Sequence, residues 1–465
     1  MAVHPAIDTI AAIATAPGIA GIGIIRISGP DALPLLKKFF IPYKPRHQFT
    51  SHKLYYGTVV NREGQVLDEA LAVYMGAPHT YTREDVVELH CHGAYLVLQT
   101  ILQTILAWGC RPAEPGEFTK RAFLAGRIDL TQAEAVLDLL QAQTEGAARL
   151  AVHQLQGQLY ARLENIRQQL IGFLASLEVA IDFPDDDVEI INANEISAQL
   201  RSKVLASLEE LIAWSEQGKM VREGIKVVIA GRPNAGKSSL LNALLQEERA
   251  LVTPVPGTTR DTIEESIVVR GVPVCLVDTA GIRMHEDPIE ALGIERARQK
   301  LEAADLVLFV VDASGGMTMT ERDQALYQSV CHKTHLVVLN KCDLVAVEQP
   351  EVMARSFSPS VCVPISAKQH LGLNRLLEAL FQAIVGGKGN MADQMTCAPN
   401  TRHRAVLLRT LEACQRFEEA LTSGAPVDLM AVEVQSALDC LGDITGLTTP
   451  DEVLDTVFSQ FCIGK

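Results

Sequence analysis

The segment "GRPNAGKSS", residues 231–239, carries the residue types that hold a nucleoside triphosphate. It fits the pattern G-x-x-x-x-G-K-S, follows the β-branched run "KVVIA" and opens the helix-like run "SSLLNALL". In such a strand–loop–helix, backbone N–H groups wrap phosphate oxygens at the positive helix end, a lysine reaches the outer phosphates and a serine ligates Mg²⁺. Ser238 is the predicted Mg²⁺ ligand. The predicted phosphate-binding residues are Asn234, Ala235, Gly236, Lys237, Ser238 and Ser239.

A second motif indicates that the base is guanine. "NKCD", residues 340–343, closes an apolar run. The Asp343 carboxylate there can accept two hydrogen bonds from the guanine edge, which adenine cannot supply. Asn340 and Lys341 would brace the loop and the base, so the sequence predicts GTP rather than ATP. "SAK", which follows "VCVPI", would add donors to the guanine oxygen from Ser366, Ala367 and Lys368.

Two further loops are typical of GTPase switch segments. "PGTTRDT", residues 256–262, lies where a threonine completes the Mg²⁺ shell; Thr259 is the predicted ligand, with Thr258 as the alternative. "DTAG", at 278–281, is typical of the loop that senses the terminal phosphate, which places Asp278 and Gly281 at the nucleotide. Small signalling GTPases follow this loop with a glutamine that orients water. Here the next residue is Ile282, which cannot hold a water.

Without the glutamine, either the protein does not hydrolyse GTP or its catalytic groups come from elsewhere. Transition-state charge must be neutralised by an arginine finger, a metal ion or another cation. Asn234 offers a side-chain oxygen, and backbone carbonyls around Thr253, Val255 and Thr258 could complete a cage for a monovalent cation.

An acidic residue beyond Gly281 could then orient the water. Composition alone leaves Glu286, Asp287 and Glu290 open, and each is equally an ordinary solvated carboxylate at a helix start.

The pattern along the chain predicts a multidomain α+β protein. Residues 1–118 mix short β-like runs with one helix and indicate a compact α+β module. Long amphipathic patterns predict a helical domain over 119–220 that resumes over 386–465. Between them, 221–385 alternates β-branched runs with helical stretches, which predicts an inserted α/β, Ras-like G domain with a doubly wound, mostly parallel sheet.

Composition narrows the class of protein. The formal net charge of −15 argues against coating nucleic acid by bulk electrostatics, so an RNA contact would be confined to one face. The ten cysteines form no C-x-x-C pair, which favours a cytosolic thiol population. The apolar start lacks a basic leader and is read as folded structure, and no membrane span is expected. "HCH", residues 90–92, alternates on a strand and favours packing or ligand contact over a metal site.

Taken together, these residues resemble the MnmE (TrmE) family of tRNA-modification GTPases. The resemblance runs the length of the chain, through "GIGIIRISG", "EDVVELHCHG", "EPGEFTKRAFLAGRIDLTQAEA", "AIDFPDDD", "PGTTRDT", "DTAGIR", "LGIERA" and the terminal "FCIGK". It implies a potassium-dependent mechanism in which G domains pair across a homodimer. Asn234 matches the family's potassium ligand and Glu290 its water-orienting glutamate, while Arg260 and Arg283 match basic switch positions.

The resemblance also implies a folate site. The family's N-terminal module binds a one-carbon tetrahydrofolate, in a formyl or methylene form, and mediates dimerisation. Arg26 and Glu88 match its folate residues, Arg127 stands where the family has lysine, and the C-terminal tail with Cys462 and Lys465 reaches toward the site.

The implied function is a cytoplasmic GTPase that works with an MnmG-like flavoprotein, in a heterotetramer-type complex, on the wobble uridine of certain tRNAs. The expected product carries a carboxymethylaminomethyl-type group at uracil C5. Two alternatives stay open: a ribosome-assembly or RNA-binding GTPase switch, and a folate-binding scaffold whose GTPase is regulatory.

Overall fold

A computed structural model describes residues 8–45, 48–182, 192–247, 264–278, 301–315, 320–346, 349–385 and 395–465. The chain divides into two compact units. The first comprises Met1–Leu140, Gln154–Leu208 and Ala405–Lys465, and the second comprises Gln141–His153 and Glu209–Arg404.

The strands form one sheet in each unit. The first sheet contains β1 Ile10–Ile13, β2 Ala20–Ser28, β3 Phe40–Pro42, β4 Lys53–Val60, β5 Val66–Met75, β6 Val86–Gly93 and β7 Arg111–Pro112. The second contains β8 Ile225–Gly231, β9 Glu264–Val269, β10 Val272–Asp278, β11 Leu306–Asp312, β12 His335–Asn340 and β13 Cys362–Pro364.

Helices fill most of the remaining described chain. They are α1 Ala32–Phe39, α2 Tyr95–Ala107, α3 Glu117–Leu124, α4 Leu130–Gln141, α5 Glu145–Leu155, α6 Gln158–Asp182, α7 Ala193–Gln199, α8 Ala206–Glu223, α9 Lys237–Glu247, α10 Glu321–Val330, α11 Gln349–Ala354, α12 Leu373–Val385, α13 Thr401–Ser423, α14 Val427–Thr445 and α15 Asp451–Ser459. A π-helical turn, Leu200–Leu205, joins α7 to α8. Within the described ranges, no helix is long and apolar enough to cross a membrane.

The first sheet has the order β3-β4-β5-β6-β2-β1-β7. Its strands pair antiparallel, except that β1 and β7 run parallel. Alternation along β2 and β6 sends Ile25, Ile27 and Leu89 into a core with α1 and α2. Arg26 and Glu88, which face each other in register, therefore lie on the opposite face. The β-like runs "GIGIIRISG", "KLYYGTVV" and "EALAVYMG" are confirmed as the strands β2, β4 and β5, whereas the eight-residue α1 was not predicted.

The helices of the first unit pack through apolar stripes. Along α6, Leu163, Ile166, Leu170, Phe173 and Leu177 recur at helical spacing and are buried. This helix packs along α14. The Phe173 ring lies 6.1 Å from the Phe417 ring of α13. The helical character predicted for residues 401–461 is confirmed.

The second sheet has the order β13-β12-β11-β8-β10-β9 and is parallel except for β9, which pairs antiparallel with β10. Successive residues of β11 enter different cores. Leu308 packs with residues of α9 and α12, and Phe309 packs with residues of α10 and α11. The sheet is therefore covered on both faces, as predicted. The carboxyl ends of β8, β11 and β12 meet at one edge, where such sheets bind ligands.

Candidate functional site

The phosphate loop joins β8 to α9. It includes Asn234 at φ +65° and Gly236 at φ +95°. A Cβ on Gly236 would stand 2.1 Å from Asn340 Nδ2, so both backbone conformation and space require glycine here. Asn234, Ser238 and Ser239 are exposed, and both serines lie in the first turn of α9. The loop thus presents a helix N-terminus with hydroxyl and amide groups to solvent.

Lys237 is almost fully buried against its own loop. Its exposed fraction is 7%, and Nζ donates to the carbonyl oxygens of Gly231 at 2.9 Å and Arg232 at 2.8 Å. These two carbonyls hold the ammonium group at the loop where the phosphates are expected. A phosphate oxygen is a stronger acceptor than a carbonyl for this cation, so the ammonium group can exchange its carbonyl partners for the phosphate oxygens of a bound nucleotide.

Arg232 ties the phosphate loop to α10. Its Nη1 donates to Thr320 Oγ1 at 2.8 Å and to Asp323 Oδ2 at 3.1 Å. Thr320 is also the N-cap of α10, since its side chain accepts from Asp323 N. This anchor could not be predicted from the sequence, because no local pattern links residues so far apart.

Asn340 connects the phosphate loop to the two base-recognition segments. Its Nδ2 donates to Ala235 O at 2.9 Å, and its Oδ1 accepts from Ala367 N at 3.0 Å. Asn340 is only 2% exposed, so both bonds are shielded from water. The predicted GTP-binding segments at 234–239, 340–343 and 366–368 therefore come together.

The remaining base-recognition residues surround this asparagine. Asp343 accepts a 3.4 Å hydrogen bond from Gln369 Nε2, which leaves its carboxylate partly exposed for a base. Ser366 is fully buried and pairs with Leu371 across a tight bridge, and its Oγ accepts from Gln369 N. Lys368 is exposed. Gln369 was missed by sequence reasoning, and only its place directly after "SAK" could have suggested it.

Lys341 forms an ion pair across the end of the sheet. Its Nζ lies 2.5 Å from Asp312 Oδ2, at the carboxyl end of β11. Burial alone would raise the pKa of Asp312, but hydrogen bonds from Lys341 and Ser314 outweigh it and hold that pKa below its usual value. The pair fixes Lys341, whose φ of +66° turns the chain out of β12 toward Asp343.

Several predicted residues lie outside the described ranges. Asp278 ends β10 and pairs with Ile229 of β8, but only its backbone is described. The others outside the described ranges are Thr253, Val255, Thr258, Thr259, Arg260, Gly281, Ile282, Arg283, Glu286, Asp287 and Glu290.

The first unit carries a second polar site on the outer face of its sheet. Arg26 Nε donates to Glu88 Oε1 at 2.9 Å, and Arg26 Nη1 donates to Gly464 O at 3.4 Å. The guanidinium carbon also lies 5.6 Å from the Phe118 ring centre and 6.0 Å from that of Tyr81. Arg26 therefore links the sheet to the C-terminal tail.

Tyr81 joins Arg26 to Arg127. The Arg127 guanidinium carbon lies 4.8 Å from the Tyr81 ring centre, and Arg127 Nη1 donates to Tyr81 O at 3.0 Å. The phenol oxygen is fixed by Thr119 Oγ1 at 3.0 Å. Tyr81, like Phe118, was missed by sequence reasoning, since an isolated aromatic residue carries no motif.

The C-terminal tail is docked on the same unit. Lys465 O accepts from Phe118 N at 3.1 Å, in the first turn of α3, and Ile463 bridges to Pro115. Gly464, at φ +97°, approaches β1 so closely that a Cβ would stand 2.4 Å from Ile13 O. Cys462 is exposed and free. The tail thus reaches Arg26, as the resemblance implies.

A buried ionic cluster positions α3. Arg121 is 7% exposed and pairs with Asp8, Glu84 and Glu117 at 2.7, 3.1 and 2.9 Å. Burial alone would raise the pKa of Glu117, but hydrogen bonds from Arg111 and Arg121 and from its own turn hold it below the usual value.

The "HCH" residues follow the strand alternation. His92 Nδ1 lies 2.6 Å from Asp68 Oδ1, a hydrogen bond that raises the pKa of the imidazole. Cys91 is buried on the opposite face, where burial raises the pKa of its thiol to about 12. Among the side chains that the structure describes, no group of His, Cys, Asp and Glu could hold a metal ion.

The phosphate loop and the guanine loops, at the carboxyl edge of a doubly wound sheet, define a P-loop GTPase. Comparison with known proteins narrows this class. The family profile described as "MnmE helical domain" matches residues 130–462, and "GTP-binding protein TrmE N-terminus" matches 9–127. The chain belongs to the MnmE (TrmE) family and is a GTP hydrolase.

Full-length relatives support the same family membership. A Desulfotalea psychrophila protein named "tRNA modification GTPase MnmE" is 49% identical over 462 residues, which cover 98% of each chain. A Geobacter sulfurreducens protein of the same name is 46% identical over 460 residues, covering 98% of this chain and 99% of the relative.

Proposed function

We propose that this protein is a potassium-activated GTPase that modifies the wobble uridine of certain tRNAs together with an MnmG-like flavoprotein. The expected modification is a carboxymethylaminomethyl-type group at uracil C5, and GTP hydrolysis drives G-domain dimerisation. The single observation that carries the proposal is the guanine-nucleotide geometry around Asn340 in a chain whose relatives are named tRNA modification GTPases. Those names favour tRNA modification over ribosome assembly.

The nucleotide loops suit Mg²⁺·GTP. Lys237 and the backbone of Asn234–Ser238 hold the phosphates, and Asp343 reads the base. When bound, Mg²⁺ would neutralise part of the phosphate charge. The exposed hydroxyl oxygen of Ser238 is proposed as one of its ligands. Thr259 is its proposed second protein ligand.

Hydrolysis without a glutamine is assigned to Glu290 and a potassium ion. A potassium ion would supply positive charge where other GTPases use an arginine. Asn234 fits a cation ligand because its amide is exposed on a loop held at positive φ. Glu290 is proposed to orient the attacking water. Thr253, Val255 and Thr258 are proposed as carbonyl ligands.

The first unit is proposed to bind a tetrahydrofolate derivative, in a formyl or methylene form that supplies a one-carbon group. Arg26 and Glu88 offer a guanidinium and a carboxylate side by side, and Tyr81 and Phe118 offer ring faces; these are the groups that suit a pterin and its acidic substituent. Arg127 and Lys465 complete the proposed site.

The proposed homodimer is supported by an apolar patch on the first unit. Ile19 is fully exposed and Ile22 is 59% exposed, while Tyr95 and Leu96 are 59% and 78% exposed. The two groups are neighbours because Ala20 pairs with Gly93 across β2 and β6. Clustered apolar side chains of this kind mark protein interfaces.

Potassium dependence is the test. The rate of GTP hydrolysis should be much higher in K⁺ than in Na⁺ buffer, and Glu290→Ala should abolish the K⁺-stimulated rate while leaving GTP affinity intact. Glu351→Ala, in the first turn of α11, is the matched control. Equal rates in K⁺ and Na⁺ would overturn the potassium mechanism. A strain whose only copy of the protein carries Glu290→Ala should lose the wobble modification. If it keeps the modification, the proposed link between GTP hydrolysis and tRNA modification is overturned.

A further inference from the structure

A cavity of about 400 Å³ opens beside the Arg26–Glu88 site, within the first unit. Its wall includes His79, Thr80, Tyr81, Arg83 and Arg127. None of the described residues that line it is acidic. In a chain with a formal net charge of −15, a cavity with two arginines and a histidine is a local region of opposite charge.

The two cavity arginines differ from the neighbouring ones in their partners. Arg26, Arg111 and Arg121 each pair with a carboxylate within 3.1 Å. Arg83 and Arg127 are instead anchored by one backbone carbonyl each, Ala125 O at 2.9 Å and Tyr81 O at 3.0 Å. Neither has a carboxylate within ion-pair distance among the residues described. A guanidinium has five N–H donors, so most donors of both groups remain for a ligand.

Tyr81 makes the cavity continuous with the site of Arg26. Its ring lies between the two guanidinium groups, with Arg26 at 6.0 Å and Arg127 at 4.8 Å from its centre. Tyr81 also lines the cavity. A ligand that places its ring system at Arg26 and Glu88 can therefore pass over Tyr81 and reach Arg83 without leaving the first unit.

The backbone of the cavity wall favours a fixed position for Arg83. This residue lies at φ +59°, a conformation that few residues other than glycine adopt, and its side chain reaches across to Ala125, directly after α3. Thr80 Oγ1 donates to Glu84 O at 2.6 Å, which closes the turn that carries Arg83. The guanidinium is thus presented by a hydrogen-bonded turn rather than by a free chain.

We propose that this cavity binds the γ-linked glutamate carboxylates of the folate, so that the protein prefers oligoglutamylated over monoglutamylated forms. The inference rests on the proposed folate function and extends it to the form of the ligand. Each added glutamate contributes one carboxylate, and planar guanidinium groups recognise carboxylates through paired N–H···O bonds. Arg127 contacts the carboxylates of the first glutamates, and Arg83 and His79 contact the carboxylates of the glutamates that follow.

The experiment compares 5-formyltetrahydrofolate carrying one and three glutamates, with dissociation constants measured by titration calorimetry on the full-length protein. Wild type should bind the triglutamate at least about tenfold more tightly, the gain expected from one charge-assisted pair. Arg83→Asn, which tolerates positive φ, should bring the ratio of the two constants close to one. Arg83→Lys, which keeps the charge, should restore part of the ratio.

Arg62→Gln is the matched control. Arg62 is likewise anchored by one backbone carbonyl, Ala107 O, and lies over an aromatic ring, Trp108, at 4.9 Å, but it does not line the cavity. This variant should keep the wild-type ratio.

The possible outcomes separate the two proposals. If wild type binds neither form, the folate function and the glutamate subsite both fall. If it binds both forms equally, or if Arg83→Asn keeps the wild-type ratio, folate binding stands and the subsite is overturned. An Arg83→Asn variant that loses tRNA affinity with an unchanged ratio would assign the cavity to RNA phosphates instead and would also overturn the proposal.

Discussion

Asn340 Nδ2 donates to Ala235 O at 2.9 Å, which fixes the end of a central strand to the phosphate loop. The Oδ1 atom of the same amide accepts a hydrogen bond from Ala367 N, so one buried side chain aligns all three nucleotide loops. This role requires a donor and an acceptor on one group. Among side chains of this size, only asparagine supplies both in a planar arrangement.

Replacing Asn340 by aspartate removes the donor and places a carboxylate against Ala235 O. We expect the affinity for GDP to fall about tenfold or more, because a buried carbonyl loses its partner and faces a negative charge. Binding of a fluorescent GDP analogue measures the change. Asn192→Asp, at the N-cap of α7, is the control, since aspartate caps a helix equally well. Unchanged GDP affinity would contradict the alignment role.

Gly236→Ala should abolish nucleotide binding. The added Cβ would stand 2.1 Å from Asn340 Nδ2, at a backbone φ of +95°, so the loop or the asparagine must move. Gly172→Ala is the matched control because its Cβ meets nothing within 4 Å, and in the interior of α6 it should stabilise the helix by about 1 kcal/mol. GTP binding and thermal unfolding are measured for both. A Gly236→Ala protein with normal GTP affinity would show that the close approach is not maintained.

Local motifs explain which parts of the site could be predicted from sequence. The phosphate loop lies between one strand and one helix, so its function and its local structure are encoded by nine neighbouring residues. The "NKCD" and "SAK" loops were predictable because parallel strands end at one edge. Arg232–Asp323 carries no such signal, since the two residues join elements 91 positions apart.

The site in the first unit, by contrast, could not be predicted from local motifs. Arg26 and Gly464, which are in hydrogen-bond contact, are 438 positions apart, and Tyr81 and Phe118 reach the same point from separate loops and helices. From the sequence, Arg26, Glu88 and Arg127 are predicted only by the resemblance to the family. The helix α1 was missed for a different reason: eight residues give too little periodicity to separate a helix from a loop.

Thiol labelling should separate the cysteines by exposure. Cys331 and Cys462 are exposed, whereas burial raises the pKa of Cys110 and Cys414 to about 12. At pH 8 a disulfide reagent should therefore modify Cys331 and Cys462 first, because only thiolates react. The Cys331→Ser/Cys462→Ser double variant should lack the fast phase. Fast labelling of Cys414 in the folded protein would contradict the packing of α13.

The ionic cluster predicts loss of stability in acid. The folded-state pKa of Glu117 is lowered, so its contribution to stability is present above its unfolded pKa of about 4.3 and is lost as pH falls through the folded value. Glu117→Gln should lower the unfolding free energy by about 2 kcal/mol at pH 7 and flatten its decline below about pH 4. Denaturant unfolding at several pH values measures both. Glu63→Gln, in an exposed turn, should retain the wild-type slope; an equally steep decline in Glu117→Gln would contradict the assignment.

Gly464→Ala should release the C-terminal tail from the first unit. Its Cβ would stand 2.4 Å from Ile13 O, and at φ +97° alanine is strained as well. Since Phe118 N donates to Lys465 O and Arg26 donates to Gly464 O, displacement of the tail frees both donors. Hydrogen exchange at the Phe118 amide should accelerate, whereas Gly424→Ala, also at positive φ but with nothing within 4 Å of its Cβ, should leave that amide protected. A protected Phe118 amide in Gly464→Ala would mean that the tail stays docked. Because Arg26 contacts both Glu88 and the tail, release should also change the affinity for 5-formyltetrahydrofolate, which links the last residues of the chain to the proposed ligand site.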